Sequence, residues 1–265
     1  MGIVNIEFLH EDRAKKEARF CILRRSGNQK IIEKVDEFFH PYFYVSEETN
    51  VIKSLPFMLQ GYVHKIETGA VSYRGEALQK VILNPINKDT FNEIKMCFDK
   101  TFEDDVLFRW RYIIDKEIKF DDNQRIMYFD IETDRGKFAN EATKPVTSIC
   151  CYDSFSGKYA TFVWHPTIQL PHFAAKHDEN IYYFTSEKQL LNAFLDFLDV
   201  IKPDIFSGWN IWHYDCPYLI NRMHLLKIDA NRLSPLRKAY SIFGDRKEFF
   251  TKIYGVECLD LMKIY

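Results

Sequence analysis

The sequence predicts an α/β fold in which a mixed β-sheet carries helices on its faces, preceded by a smaller strand-rich domain. Three apolar strands follow one another between residues 125 and 164. A helix, a strand and a second helix then alternate between residues 186 and 226. Residues 3–83 contain several short strands separated by turns. This order of elements indicates an α/β or α+β architecture and places the domain boundary near residue 120.

Composition allows two domains with their own cores. The chain has 265 residues, of which 46% are hydrophobic, enough for one large or two modest cores. A net charge of −2 argues against a strongly basic duplex-binding protein, although a local basic groove remains compatible with it. Aromatic residues reach 16%. They favour a phenylalanine-packed core, with stacking on nucleobases as the alternative.

Cysteine and histidine usage excludes some classes of protein. The six cysteines form no C-x-x-C pair and no signal peptide is evident, which favours reduced thiols and an intracellular protein. The histidines show no H-E-x-x-H spacing, so a zinc site of that kind is not expected. No apolar run approaches the roughly 20 residues that span a bilayer, and no membrane partner is predicted.

The first domain, residues 1–120, is predicted as strands with two helices. Its predicted strands are residues 3–8, 19–24, 38–45, 62–66, 71–73 and 78–83, with a hairpin turn at residues 26–28. The proline in the third of these strands places it at an edge. Its predicted helices are residues 51–60 and 87–100, the second starting at Asp89 or Thr90.

The second domain, residues 121–265, opens with a predicted three-stranded meander. Its strands are residues 125–132, 147–152 and 159–164. Ser186 and Gln189 form a capping-box pattern that starts a helix ending before Pro203. A strand over residues 204–209 leads to a helix with Asp215 as its cap and Pro217 in its first turn. Residues 256–264 are predicted as a last strand.

Two acids lie two residues apart at the end of the first strand of the meander. Asp130 and Glu132 therefore point to one face, while Ile131 points into the core. Like charges held side by side repel each other unless a cation neutralises them, and Mg²⁺ prefers such oxygen ligands. The alternative is an ordinary strand end with solvated acids.

A third acid, Asp215, lies at a strand–helix junction, where sites form in α/β sheets. A plain helix cap is the alternative for Asp215, and a turn-forming role for Asn210. Trp209 and Trp212 are interpreted as packing residues, with base stacking as the less favoured alternative.

These residues resemble two motifs of one family. Asp130-Ile131-Glu132-Thr133 resembles the first exonuclease motif, D-I-E-T, of family B DNA polymerases. Residues 209–218, which include Asn210, Tyr214 and Asp215, resemble the second motif with its W-N-I-x-x-[FY]-D-x-P-Y extension. Residues 40–44, 108–115 and 259–261 are also similar to family segments, so the resemblance spans nearly the whole chain. Archaeal and tailed-phage polymerases are both similar.

The resemblance implies an N-terminal polymerase domain followed by a ribonuclease-H-like 3′→5′ exonuclease domain. Proofreading would then hydrolyse the 3′-terminal phosphodiester of single-stranded or frayed primer–template DNA with two Mg²⁺ or Mn²⁺ ions. Asp130 would bridge the ions, Glu132 would ligate one and orient the attacking water, and Asp215 would ligate the other. Thr133, Asn210 and Tyr214 would position the terminal nucleotide.

The third exonuclease motif of the family, Y-x-x-x-D, and the polymerase palm have no match in this sequence. The expectation is a truncated or split polymerase, incomplete at the C-terminal end of its exonuclease domain. Its palm, fingers and thumb would be covalently attached or on a separate chain, and this chain alone would be a weak or inactive nuclease. An archaeal or bacterial cytoplasm is the expected setting, with either a cellular or a viral gene.

Two other functions remain open. The chain is alternatively a non-catalytic DNA-binding or assembly subunit of a split polymerase. A stand-alone ribonuclease-H-like exonuclease is a third hypothesis, against which the polymerase-like residues before position 120 argue.

The resemblance also suggests a template-base pocket in the N-terminal domain. Archaeal members hold a template base there and sense uracil, and Pro41, Tyr42, Phe108 and Arg111 fall near matching positions. Simple packing between strands is the favoured alternative for these four residues.

Overall fold

The computed structural model describes residues 2–12, 17–35, 38–136, 138–167, 180–244 and 248–265. Within them the helices are α1 (Val51–Ser54), α2 (Phe57–Gln60), α3 (Lys88–Lys95), α4 (Phe108–Asp115), α5 (Glu187–Ile201) and α6 (Asp215–Leu225). The strands are β1 (Ile3–Asp12), β2 (Glu17–Ser26), β3 (Gln29–Lys34), β4 (Tyr42–Ser46), β5 (Val63–Val71), β6 (Ala77–Leu83), β7 (Ile126–Thr133), β8 (Val146–Asp153), β9 (Lys158–Val163), β10 (Ile181–Tyr183), β11 (Ile205–Gly208), β12 (Ala239–Phe243), β13 (Phe249–Ile253) and β14 (Glu257–Asp260).

The largest sheet has six strands in the order β10-β9-β8-β7-β11-β14. Strands β7, β8 and β9 are antiparallel, whereas β11 runs parallel to β7 and to β14. The predicted meander and mixed sheet are confirmed. Helices α5 and α6 pack on these strands in one core, to which the helices contribute Phe194 and Tyr218 and the strands contribute Phe129 and Phe162.

The start of α5 agrees with the predicted cap in part. Ser186 Oγ accepts a hydrogen bond from the backbone N–H of Gln189 over 3.3 Å. The side chain of Gln189 does not return to Ser186 but accepts hydrogen bonds from the N–H and hydroxyl of Thr185. Only half of the capping box therefore forms, and the helix ends before Pro203 as predicted.

The predicted cap of α6 was wrong. Tyr214 is the residue before the helix, and its side chain makes no capping hydrogen bond. Asp215 is already helical, and its carboxylate is directed to β7. The tertiary contact with the strand takes precedence over the local capping that the sequence suggested.

The C-terminal region differs from the prediction in two places. The last strand ends at Asp260 instead of extending to residue 264, because a 3₁₀ turn over Leu261–Lys263 begins there with the Asp260 side chain as its cap. The hairpin formed by β12 and β13 was not predicted.

A three-stranded sheet of order β1-β2-β3 contains the predicted hairpin, which turns at Gly27 with a φ of 55°. Its buried Arg25 and Lys30 both bind the carboxylate of Asp204, the residue immediately before β11. Ile3 also pairs with residues 119–121. The first sheet is thus bound to the six-stranded sheet by buried charges, and the domain boundary near residue 120 stays a prediction.

The sheet of order β4-β6-β5 corrects several predicted boundaries. Strand β5 is continuous to Val71, and the predicted strand at residues 71–73 is mostly a turn closed by Ser72. Strand β4 begins only at Tyr42, after Pro41. Pro56 divides the predicted helix 51–60 in two.

Helix α3 is shorter than predicted, and it begins at Lys88 because Asn87, not Asp89 or Thr90, supplies the capping oxygen. In the part of the chain that the structure describes, no helix is long and apolar enough to cross a membrane.

Candidate active site

Asp130 and Glu132 lie on the face of β7 that is turned away from α5 and α6. Both are exposed, whereas Ile131 between them is 4% exposed and belongs to the core. The pleat of the strand imposes this alternation, so the predicted shared face of the two acids is confirmed. On the neighbouring strand β8, their partners in the ladder are Cys150 and Ser148.

Asp215, the first residue of α6, contacts the same strand. Its Oδ1 atom accepts a hydrogen bond from the backbone N–H of Ile131 over 3.0 Å. The side chain is almost fully buried, at 2% exposure. The structure therefore places the Asp215 carboxylate against the strand that carries Asp130 and Glu132, although Asp215 follows them by more than 80 residues in sequence.

Gly208 at the end of β11 makes this approach possible. A Cβ atom at this position would lie 2.5 Å from the carbonyl oxygen of Phe129. No real side chain tolerates such a contact with backbone, so the residue type at position 208 permits β11 to run close to β7. The loop that follows then starts beside the two acids of β7.

Burial and charge repulsion act on the acids of the site. Burial raises the pKa of Asp215 to about 7, and the negative charges of Asp130 and Asp260 add to this rise. The hydrogen bond from Ile131 opposes it. Burial also raises the pKa of Asp130. Bringing these carboxylates together is therefore unfavourable when all are ionised, which a divalent cation among them would relieve.

The described residues do not form a complete metal site. Within them, no three His, Cys, Asp or Glu side chains are close enough together to hold a metal ion. The donor chemistry nevertheless fits Mg²⁺ or Mn²⁺, because carboxylate oxygens are the ligands that these ions prefer. Asp130 and Glu132 are exposed and free to change rotamer, whereas Asp215 is fixed by Ile131.

Thr133 and Tyr214 are joined in a small hydrogen-bonded group. Thr133 Oγ1 and the Tyr214 hydroxyl oxygen lie 3.1 Å apart. The Tyr214 hydroxyl donates to the carbonyl of Gly136 over 2.9 Å, and the Gly136 N–H donates to Thr133 Oγ1. Both predicted nucleotide-positioning residues therefore fix the chain just after β7, beside Glu132.

One face of α6 fixes the segment between β7 and β8. Tyr218 donates to the carbonyl of Lys144 over 2.7 Å, and Asn221 donates to that of Ala139 over 2.9 Å. Arg222 donates to the carbonyls of residues 142 and 143 and forms a bidentate ion pair with Glu187. The sequence pattern did not predict these contacts of Asn221, Arg222 and Glu187. The helical spacing of positions 214, 218, 221 and 222 was the signal that could have found them.

Asn210 is held by a buried acid that is not part of either motif. Its φ is 59°, in the left-handed region. Its N–H donates to Asp260 Oδ1 over 2.9 Å, and the N–H of Trp212 donates to Asp260 Oδ2 over 3.2 Å. Asp260 thus shapes the loop that carries Asn210, which supports the turn-forming interpretation of this residue.

The four residues of the predicted template-base pocket do not form one group. Tyr42 and Arg111 are buried and bonded to each other at 3.3 Å, and Tyr42 also donates to Asp115. Pro41 is buried beside Tyr42 in the chain. Phe108, one turn before Arg111 on α4, instead lines a cavity of about 430 Å³ together with Phe8, Phe91, Leu107 and Arg109. These contacts are those of packing, and base binding here stays a prediction.

Comparison with known proteins identifies the family to which this geometry belongs. Residues 112–265, more than half of the chain, match the family described as DNA polymerase family B, exonuclease domain. The chain belongs to this family. The matched region contains β7, α6 and all three carboxylates, so the resemblance of the two motifs is confirmed at the level of the family.

Relatives of known function support the assignment. The chain is 31% identical over 195 residues to the DNA-directed DNA polymerase of Escherichia phage RB69, covering 60% of this chain and 21% of that protein. It is 28% identical over 237 residues to the DNA polymerase delta catalytic subunit of Plasmodium falciparum, covering 85% of this chain and 21% of that protein. The chain thus spans about a fifth of the length of these relatives.

A solved structure supports the fold. The family B DNA polymerase of the archaeon Pyrobaculum calidifontis matches 99% of this chain and 36% of its own chain, with a TM-score of 0.70 and 16% identity. The strand-rich N-terminal part followed by the mixed-sheet, ribonuclease-H-like exonuclease domain is therefore the fold of a family B polymerase.

Proposed function

We propose that this chain forms the proofreading 3′→5′ exonuclease part of a DNA-directed DNA polymerase. The observation that carries the proposal is the hydrogen bond from Ile131 to Asp215, which holds a buried acid of the second motif against the strand that carries the first. Membership of the family supports the same activity. The substrate would be the 3′ end of single-stranded or frayed primer–template DNA.

The three carboxylates would hold the divalent cations of this reaction. Asp215, fixed and buried, would be the rigid donor, and the exposed Asp130 and Glu132 would supply the other carboxylates. Mg²⁺ or Mn²⁺ bound there would make hydroxide available near neutral pH and stabilise the leaving 3′ oxygen. Glu132 lies at the exposed end of the strand, where it can orient the attacking water.

Other side chains would position the terminal nucleotide. Thr133 and Tyr214 hold the backbone at Gly136 beside the acids, so that backbone groups of this turn are presented to the substrate. The left-handed Asn210, fixed by Asp260, borders the site on the other side. Thr133, Tyr214 and Asn210 would thus position the substrate and would not exchange protons with it.

Metal binding tests the proposal without depending on turnover. Mn²⁺ titration, followed by electron paramagnetic resonance, is expected to show binding that Asp130→Ala and Asp215→Ala remove. Glu141→Ala, which alters an exposed acid between β7 and β8, is the matched control and should bind as wild type. Equal Mn²⁺ affinity in all four proteins would overturn the assignment of the three carboxylates.

Hydrolysis of 5′-labelled single-stranded DNA in Mg²⁺ tests the activity itself. Shortening from the 3′ end that Asp130→Ala abolishes is the result expected of an active exonuclease. The alternative, a non-catalytic DNA-binding or assembly subunit of a split polymerase, predicts DNA binding with neither Mn²⁺ binding nor shortening. The palm, fingers and thumb that the family resemblance implies would then be the partners to which the chain is joined or assembled.

A further inference from the structure

Three tyrosines form a row across the open face of the six-stranded sheet. Tyr128 on β7 pairs with Tyr152 on β8, which pairs with Tyr159 on β9. The ring centroids of the first two lie 6.2 Å apart, and those of the last two 5.0 Å apart. Tyr128 is 38% exposed and Tyr159 is 59% exposed. This tyrosine row is a continuous aromatic surface that the core does not use.

The row lies on the same face as the acids of the candidate active site. Tyr128, Asp130 and Glu132 alternate with buried residues along β7, so all three side chains point outward together. Two residues along a strand place Tyr128 about 7 Å from Asp130, and the row extends about 10 Å across the sheet. It leads away from Asp215, because β8 and β11 flank β7 on opposite sides.

We propose that the tyrosine row is a stacking platform for the bases of single-stranded DNA whose 3′ end lies at Asp130. This inference rests on the proposed exonuclease function and extends it to a substrate subsite. Base–aromatic stacking is independent of sequence, as an exonuclease that processes any 3′ end requires.

The position of the row favours single-stranded DNA over a protein segment, because the row begins about 7 Å from Asp130, where the 3′ end of the proposed substrate lies. The side chains beside the row are Cys150, which is exposed, and Thr161, which is half-buried, and neither adds a large apolar group to the rings. The adjoining Asp130 and Glu132 repel phosphates, so attraction of DNA at this point must come from its bases. Tyrosine provides an apolar ring with a hydroxyl that remains in water.

Paired leucine substitutions test the platform. Tyr152→Leu/Tyr159→Leu retains apolar bulk but removes the rings. Fluorescence anisotropy of a short labelled oligodeoxyadenylate, with Ca²⁺ in place of Mg²⁺, is expected to show about tenfold weaker binding. Tyr159→Phe, which keeps the ring, should bind as wild type.

Tyr182→Leu is the matched control. Tyr182 is 47% exposed on the same sheet, but it pairs with the core residue Phe162 and so lies on the opposite face. Its substitution should leave the affinity unchanged. Wild-type affinity in the double leucine variant, with an unchanged circular dichroism spectrum, would overturn the proposal, and it is also the result expected if the row covers a protein segment.

A second measurement keeps the test valid if the double variant fails to fold. Single-stranded DNA that carries 2-aminopurine near its 3′ end should be quenched on binding to wild type and less so on binding to Tyr159→Leu alone. Equal quenching by both proteins would contradict stacking.

Mn²⁺ titration of Asp130→Ala distinguishes failure of the stacking platform from failure of the metal site. If Asp130→Ala loses Mn²⁺ binding while the leucine variants bind DNA normally, only the platform is rejected. Retained Mn²⁺ binding in Asp130→Ala with weakened DNA binding in the leucine variants would reject only the metal site.

Discussion

Asp215 Oδ1 accepts a hydrogen bond from the backbone N–H of Ile131 over 3.0 Å. The donor lies between Asp130 and Glu132, so the first residue of α6 is fixed against the strand that carries the other two acids. The bond uses an N–H of β7 beyond Tyr128, the last of its residues that pairs with β11. The Asp215 carboxylate thus takes the place of a neighbouring strand as the acceptor of this N–H, and the bond holds the carboxylate in position.

Asp215→Asn should stabilise the chain at pH 8 in the presence of EDTA. The amide oxygen can still accept from Ile131, and the buried charge is removed. The folded-state pKa of about 7 lies above the usual value of 3.8, so the native state binds more protons between these values. Wild-type stability therefore falls as the pH rises through this window, by at most about 4 kcal/mol.

Thermal unfolding of both proteins between pH 4 and pH 8 measures this effect. The melting temperatures should approach each other as the pH falls toward the usual carboxyl pKa of 3.8, and they should differ most at pH 8. Glu132→Gln, which changes an exposed acid of the same site, should not reproduce the difference. A constant difference at every pH would contradict the assignment of the effect to Asp215.

Gly208→Ala should destabilise the fold by about 1–3 kcal/mol. The added methyl group would lie 2.5 Å from the Phe129 carbonyl oxygen, and β7 and β11 would have to separate. Gly61→Ala is the control, because Gly61 has a φ of −64° and open space around its Cβ position. Urea unfolding should show a clear loss for the first variant and no loss for the second.

Arg222→Lys should loosen the segment between β7 and β8. Lysine retains the charge but cannot make the two parallel bonds to Glu187 while also reaching the carbonyls of residues 142 and 143. Hydrogen exchange should increase at residues 138–146, with a loss of about 1–3 kcal/mol in stability. Arg237→Lys, at an exposed ion pair, should change neither.

Asp204→Ala should cost about 3–5 kcal/mol, since it leaves Arg25 and Lys30 buried without their carboxylate. Asp196→Ala removes an acid whose side chain is 72% exposed and should cost less than about 1 kcal/mol. Chemical denaturation followed by tryptophan fluorescence compares the two. Similar losses would mean that the first sheet is held to the six-stranded sheet by other contacts.

The sequence by itself determined the local features of this protein. The alternation along β7 placed Asp130 and Glu132 on one face, because side chains of a strand alternate regardless of what packs on them. The apolar stripe and Ser186 located α5, and Gly27 located a hairpin. The two motifs indicated the family, since their residue types and order are linear properties of the chain.

Only the tertiary structure decided how these pieces meet. It converted Asp215 from an expected helix cap into a partner of Ile131, 84 residues away. It placed Asp260, 50 residues from Asn210, where its carboxylate accepts the N–H of Asn210. It also aligned Tyr128, Tyr152 and Tyr159 on three neighbouring strands. Such contacts depend on strand register and on how helices pack on the sheet, which arise from the summed burial of the whole core and leave no local pattern in the sequence.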